Sequence, residues 1–314
     1  MHVSTGGALI QLWLYPSHLL CGPKGHTVCP RRDCERDAMR KIALLNQKGG
    51  VGKTTTAVNL GACIAERGRT VLLVDIDPQA NLTTHLGLDV KRGQPSVYTL
   101  IRGEHSREEV LRDTAMDSLK VIPADIDLAG LEVELSTQSC GRELHLARAL
   151  RGLEEEFDYV FVDCPPSLGL LTLNAMCAVE EIFIPLQTEF FALHGLGKLL
   201  STVRLVQQGL NPTLEATGIV ACMFDARTSL AGEVLEDIRG HFGGMVFQTL
   251  VRKNVRLAEA PSFGLPVILY DEECNGAEDY RALAGEVLAM AGEERQDQPA
   301  AQEIPPHLSL AKAG

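Results

Sequence analysis

Between Lys48 and Thr55 the chain reads Lys-Gly-Gly-Val-Gly-Lys-Thr-Thr. Gly49, Gly50 and Gly52 carry no Cβ, so the backbone there can curl tightly and turn successive N–H groups toward one point. A concave set of donors of this kind suits an oxyanion. From Lys53 onward the apolar residues recur at helical spacing, so the loop opens a helix whose N-terminal partial positive charge adds to the attraction. Lys53 has the reach to neutralise the β- and γ-phosphates of a bound ATP, and the Thr54 hydroxyl can ligate Mg²⁺. Val51 and Thr55 complete the stretch expected to wrap the phosphates. Without an anion, two lysines desolvated beside glycines would have nothing to pair with.

Acid comes from two other segments. Val-Phe-Val-Asp ends in Asp163, followed by Cys164, Pro165 and Pro166. An aliphatic strand ending in Asp places a carboxylate where a parallel sheet holds its ligands, and where it can hold Mg²⁺ directly or through water. Val-Asp-Ile-Asp-Pro offers Asp75 and Asp77, with Pro78 keeping them in the loop after a strand. Phosphoryl transfer needs charge neutralisation and alignment more than covalent chemistry. Lys48, Lys53 and the loop N–H groups supply the first.

These groups must be positioned by strands that end beside one another. Short apolar runs predict strands at 41–46, 70–75, 119–123, 158–163, 181–186, 216–224, 245–250 and 266–270. Helical spacing predicts helices over 54–68, 143–155, 170–179, 192–208, 231–241 and 277–290. Alternating strands and helices imply an α/β fold, a doubly wound and mostly parallel sheet with helices on both faces. The organisation expected is one domain over 39–291. Residues 1–38 read as a disordered extension or as sequence ahead of a natural start at Met39, and 292–314 as a disordered tail rich in Pro and acid.

With 45% hydrophobic and 22% charged residues the composition is that of an ordinary globular chain, and the net charge of −12 leaves room only for a local basic patch. No apolar run approaches the roughly 20 residues of a membrane helix. Nine cysteines, an odd number with no Cys-x-x-Cys, read as reduced thiols in the cytoplasm. Cys21, His26, Cys29 and Cys34 match no standard zinc spacing.

The general phosphate-loop pattern asks for Gly at position 47. This chain has Gln47, and Lys48 stands immediately before the glycines. In that respect the loop resembles the deviant Walker A form of the ParA/MinD group of P-loop ATPases. The resemblance implies that Lys48 reaches across a homodimer interface to the partner's nucleotide, and that Gly49 lies at the crowded contact. It also implies that Asp77 orients the attacking water and that Asp75 lies nearer the metal. The stretch 225–288, with Ala-Arg-Thr at 226–228 and Asn-Val-Arg-Leu-Ala-Glu-Ala-Pro-Ser at 254–262, is similar to the C-terminal half of Soj-type ParA proteins. There the resemblance assigns Arg227 and Arg256 to non-specific DNA phosphate contact. Family members commonly read Ile-Pro-Arg-Asn where this chain has Val-Arg-Lys-Asn, so Arg252 and Lys253 add charge to the same spot, and Arg252 replaces a proline whose region the resemblance sets beside the adenine.

The function implied is a slow Mg²⁺-dependent ATPase in the cytoplasm, associated with the nucleoid. Its ATP-bound dimer would hold DNA until a ParB/Spo0J-like protein stimulates hydrolysis. Related readings are a ParA-like ATPase positioning non-DNA cargo and a MinD-like division-site ATPase. The latter needs a basic amphipathic C-terminal helix that the acidic, proline-broken tail does not provide. An iron–sulfur carrier of the same fold would need paired interfacial cysteines, and none stands out.

Overall fold

A computed structural model describes residues 39–189 and 191–292. The expected N-terminal extension, the Cys21–Cys34 set and the tail from 293 lie outside these residues.

The strands are β1 (Arg40–Leu44), β2 (Val71–Asp75), β3 (Arg112–Asp113), β4 (Leu119–Ile122), β5 (Tyr159–Asp163), β6 (Glu181–Gln187), β7 (Glu215–Phe224) and β8 (Val246–Arg252). They form one sheet in the order β3-β4-β2-β5-β1-β6-β7-β8, parallel throughout except for the antiparallel edge pair β3–β4. The helices, in chain order, begin with α1 (Lys53–Glu66), α2 (Asn81–His85), α3 (Val97–Ile101) and α4 (Arg107–Val110). Next come α5 (Leu128–Ser136), α6 (His145–Ala149), α7 (Leu170–Ala178) and α8 (Ala192–Gly209). The last are α9 (Ser229–Phe242), α10 (Val255–Glu259), α11 (Val267–Tyr270) and α12 (Asn275–Met290). No helix among the described residues is long and apolar enough to cross a membrane.

Strand side chains alternate between faces, and the core divides accordingly. Ile42, Leu44, Val71, Leu73 and Phe161 pack with α1 and α12. Ala43, Leu72, Val74, Val160 and Val162 pack under α5 through α9. Being buried on both faces, β2 and β5 are apolar along their length until each ends in Asp. Parallel registry then sets Asp163 opposite Leu44 on one neighbour and Asp75 on the other.

Two expectations need correction. The run Pro266–Tyr270 is not a strand; α11 occupies it, and the Val267 N–H donates to Asn59 Oδ1 on α1 at 2.7 Å rather than to a sheet neighbour. A short apolar run does not by its period distinguish the two structures. The helix expected over 143–155 is confined to His145–Ala149. The later apolar residues Leu150, Leu153 and Phe157 are buried from turns instead. The strand β3 and the helices α2–α5 and α10 were not expected, although Leu128, Leu131 and Leu135 on α5 show helical spacing.

The β6–β7 pairing slips by one residue, so that Ala216 faces Ile182 but Gly218 faces Phe183. A Cβ on Gly218 would lie 2.5 Å from Phe247 Cε2 and 2.7 Å from Phe183 Cδ1. Those rings meet edge to face, 5.2 Å apart at 77°. Gly218→Ala is therefore expected to cost about 1–3 kcal/mol through overpacking. The check is a denaturation midpoint, and an unchanged midpoint would contradict this account of the glycine.

Candidate active site

The glycine loop leaves β1 at the centre of the sheet and enters α1. Gly50 (φ 73°) and Gly52 (φ 97°) take left-handed conformations that an L side chain resists. Gly52 also caps α1, and no side chain bonds the first-turn N–H groups, which leaves them open to an anion. They border a cavity of 410 Å³ whose walls include Gly49, Lys53, Thr54, Asp77, His85 and Pro166.

Lys53 is only 7% exposed, and its Nζ comes within 3.5 Å of the Lys48 carbonyl oxygen. Burial pushes its pKa down, while Asp163, Cys164 and Asp77 act against that shift. Asp163 is wholly buried, and its Oδ2 accepts from the Thr54 hydroxyl at 2.6 Å. Its Oδ1 is buried without a partner. Burial, and then the charge of Asp75, hold the Asp163 pKa well above the usual carboxylate range. A buried carboxylate with an unused oxygen beside a hydroxyl fits a divalent cation. Among the described residues no three His, Cys, Asp or Glu side chains cluster to hold a metal by themselves. An ion here would therefore draw most of its ligands from phosphate oxygens and water, as Mg²⁺ commonly does.

Asp75 and Asp77 differ. Asp75 is fully buried and its pKa is pushed up to about 6, chiefly by desolvation. Its Oδ2 accepts from the Thr83 N–H (2.9 Å) and hydroxyl (2.7 Å), and its Oδ1 from the Asp77 N–H at 3.1 Å. The carboxylate expected nearer the metal thus uses these bonds to shape the loop that carries Asp77. Asp77 reaches the cavity wall, with Oδ1 accepting from the Gln79 N–H at 2.9 Å. Lys48 lies outside this cluster. It folds back on its own chain, with Nζ 2.6 Å from Glu189 Oε2 and 3.2 Å from Gln187 Oε1.

The four basic candidates separate by partner. Arg227 is 84% exposed but holds Asp225 in a two-bond fork at 2.8 and 2.6 Å. The guanidinium lowers the Asp225 pKa to about 2. Arg256 pairs with Glu259 at 2.9 Å and Asp271 at 3.0 Å. Arg252 clamps β8 to α12 through Asp279 and Glu278, both at 2.6 Å. The charge expected from Arg252 is therefore neutralised within the fold. Lys253 is exposed and makes no close ion pair among the described residues, although its charge also acts on Asp225.

Sequence reasoning left one feature without detail and missed another. A second cavity of 200 Å³ adjoins the first, sharing Gly52, Thr55 and Met223 and continuing along Val251, Leu257 and Tyr280. Its largely apolar walls suit a flat aromatic base. Met223 sits at the junction in a left-handed conformation (φ 52°), strain of the kind that gathers at ligand sites. The other feature is His85, 3% exposed, whose Nε2 has no partner. No local pattern marked it, since it stands in a polar stretch.

Burial pushes the His85 pKa from 6.5 down to about 4, against a hydrogen bond to the Leu265 backbone. Between those values the unfolded chain binds the proton and the folded one does not. Stability present above pH 6.5 is therefore lost as the pH falls toward 4, by up to about 3 kcal/mol for this group. Denaturation curves for wild type and His85→Gln should converge over that window. Parallel curves would remove this account of the burial.

Known proteins resemble this chain over most of its length. A family profile described as an AAA domain matches residues 39–216. The sporulation initiation inhibitor protein Soj of Bacillus subtilis is 50% identical over 248 residues, covering 79% of this chain and 98% of that protein. The chromosome partitioning protein ParA of Myxococcus xanthus is 49% identical over 249 residues, covering 79% and 88%. Among solved structures, a cobyrinic acid a,c-diamide synthase from Mycobacterium smegmatis with bound ADP and magnesium superposes with a TM-score of 0.71 at 38% identity, covering 82% of this chain and 97% of that one. The cell division ATPase MinD of Pyrococcus furiosus superposes at 0.66 with 27% identity, covering 80% and 99%.

Proposed function

The chain belongs to the Soj/ParA family of chromosome-partitioning ATPases, and on that premise we propose that it is a slow, Mg²⁺-dependent ATP switch whose ATP-bound dimer holds DNA without reading its sequence. One observation carries the nucleotide part of this reading. At the foot of the glycine loop, Asp163 is buried with one oxygen on the Thr54 hydroxyl and the other unpartnered. Thr54 and Asp163 would hold Mg²⁺, which when bound supplies charge neutralisation on the phosphate oxygens.

The chain's own residues account for the rest. The loop N–H groups and Lys53 bind the triphosphate and balance its charge. Asp77, set by its backbone bond to Asp75, orients the water that attacks the γ-phosphate. Lys48 leaves Glu189 and reaches the partner's nucleotide when two copies close on ATP. Arg227, Arg256 and Lys253 present positive charge to phosphates, and pairing two such patches in a dimer turns weak contacts into one firm hold. A ParB/Spo0J-like protein on the cargo DNA accelerates hydrolysis and releases the dimer. The test is phosphate release measured with and without duplex DNA and that partner. Stimulation by the two together is expected, and an absence of ATP affinity in the presence of Mg²⁺ would end the reading.

Arg256→Glu is expected to weaken duplex binding at least tenfold while DNA-independent ATP turnover continues. Losing one phosphate contact per protomer lowers the slope of log affinity against log salt by about 0.9 per protomer. Titrations at several salt concentrations read this out, and an unchanged slope would remove Arg256 from the DNA surface.

A further inference from the structure

In a chain with 41 acidic residues in 314, no acidic residue occurs between Glu189 and Glu215, and α8 fills most of that interval. The helix buries Leu196, Leu199, Val203 and Val206 against the sheet. At about 100° per residue, the opposite arc, roughly 120° wide, carries His194, Lys198, Ser201, Arg204, Leu205 and Gln208. Four of these six, all but Lys198 and Arg204, are formally neutral, and none is a carboxylate. The arc runs about 21 Å along the helix.

Lys198 and Arg204 are exposed, and among the described residues neither makes an ion pair. That separates them from Arg227, Arg252 and Arg256, each of which is held by a carboxylate of its own fold. The helix connects β6 to β7, which are parallel neighbours, so it begins at the C-terminal ends of those strands and runs back over them. Its first turns lie at the sheet edge that also carries Arg227, just after β7, and Lys253, just after β8. The helix that follows Arg227, α9, packs beside α8.

We propose that the outward face of α8 is a second contact surface for duplex DNA, extending the patch at Arg227 and Lys253 along the side of the sheet. This rests on the DNA reading given above. Sequence-independent binding is served by cations and neutral donors in a line, best where no carboxylate on the same face repels phosphate, and it needs no shaped pocket. The α8 face has that composition. A protein partner would instead call for an apolar centre, and Leu205 is the one large apolar side chain exposed on this face.

The experiment compares the full chain with the double variant Lys198→Gln, Arg204→Gln, using a random-sequence duplex and MgATP over a series of salt concentrations. The variant is expected to bind at least tenfold more weakly, with a salt slope shallower by about 1.8 per protomer. ATP turnover without DNA and the thermal midpoint should both stay at wild-type values. Lys198→Arg with Arg204→Lys should keep the affinity. If wild type binds the duplex, Arg256→Glu does not, and the α8 double variant binds like wild type, the α8 surface is refuted while the DNA reading stands. If wild type itself fails to bind, both fall. Intact DNA binding with lost stimulation by a ParB-like protein would assign the face to a protein and overturn the proposal.

Discussion

Lys53→Ala is expected to reduce ATP turnover by at least roughly 10²–10³-fold, and to weaken ATP binding with it. Lys53 is almost fully buried beside the glycine loop, where an ammonium acts at low dielectric and is not exchanged for water. Burial already pushes its pKa down, which means that the site holds the charge at a cost that only nearby negative groups offset. A triphosphate brings more negative charge to that point. Without the lysine, the phosphate oxygens near Asp163 and Asp77 would lose the buried cation this chain itself supplies at the loop. Calorimetry with MgATP and a phosphate-release assay measure the two effects separately. Turnover within a few-fold of wild type would show that the triphosphate does not lie against Lys53.

Asp77→Ala is expected to separate the two quantities. ATP affinity should stay within a few-fold of wild type while hydrolysis falls by roughly 10²–10³, as for loss of a group acting only in the transition state. Asp77 reaches the cavity from a loop whose backbone is held by Asp75, itself anchored on Thr83. Removing the Asp77 carboxylate should leave the Asp75–Thr83 scaffold in place and take away the group proposed to align water, together with its bond from the Gln79 N–H. The variant should then persist on DNA with ATP bound, read as slow dissociation from an immobilised duplex. Hydrolysis at the wild-type rate, or ATP affinity lost in parallel, would take Asp77 out of the water-aligning role.

Much of the architecture was legible because it is written in local pattern. Apolar runs buried on both faces predicted β2 and β5, and each ends where the chain turns polar at an Asp. Position 266–270 failed because an apolar run shorter than two helical turns has no period to read. There the decisive bond is donated by the Val267 N–H to Asn59 Oδ1, far away in sequence. His85 and the full set of walls of the base-sized cavity beyond Met223 were hidden for a related reason: both are made by segments remote in sequence coming together.

By itself the sequence determined that a glycine loop would follow a short apolar strand, open a helix and lie near carboxylates at the ends of other strands. Backbone freedom at glycine and side-chain periodicity are local properties, and they carry over into any fold that keeps the strands in order. Tertiary structure alone decided which charges are available. Arg252 is neutralised by Glu278 and Asp279, and Lys48 by Glu189. Lys198 and Arg204 stay unpaired on α8, a helix whose charge drew no attention in the linear chain. The physical reason is distance: ion pairing acts over a few ångströms in space, and only folding sets which carboxylate arrives there.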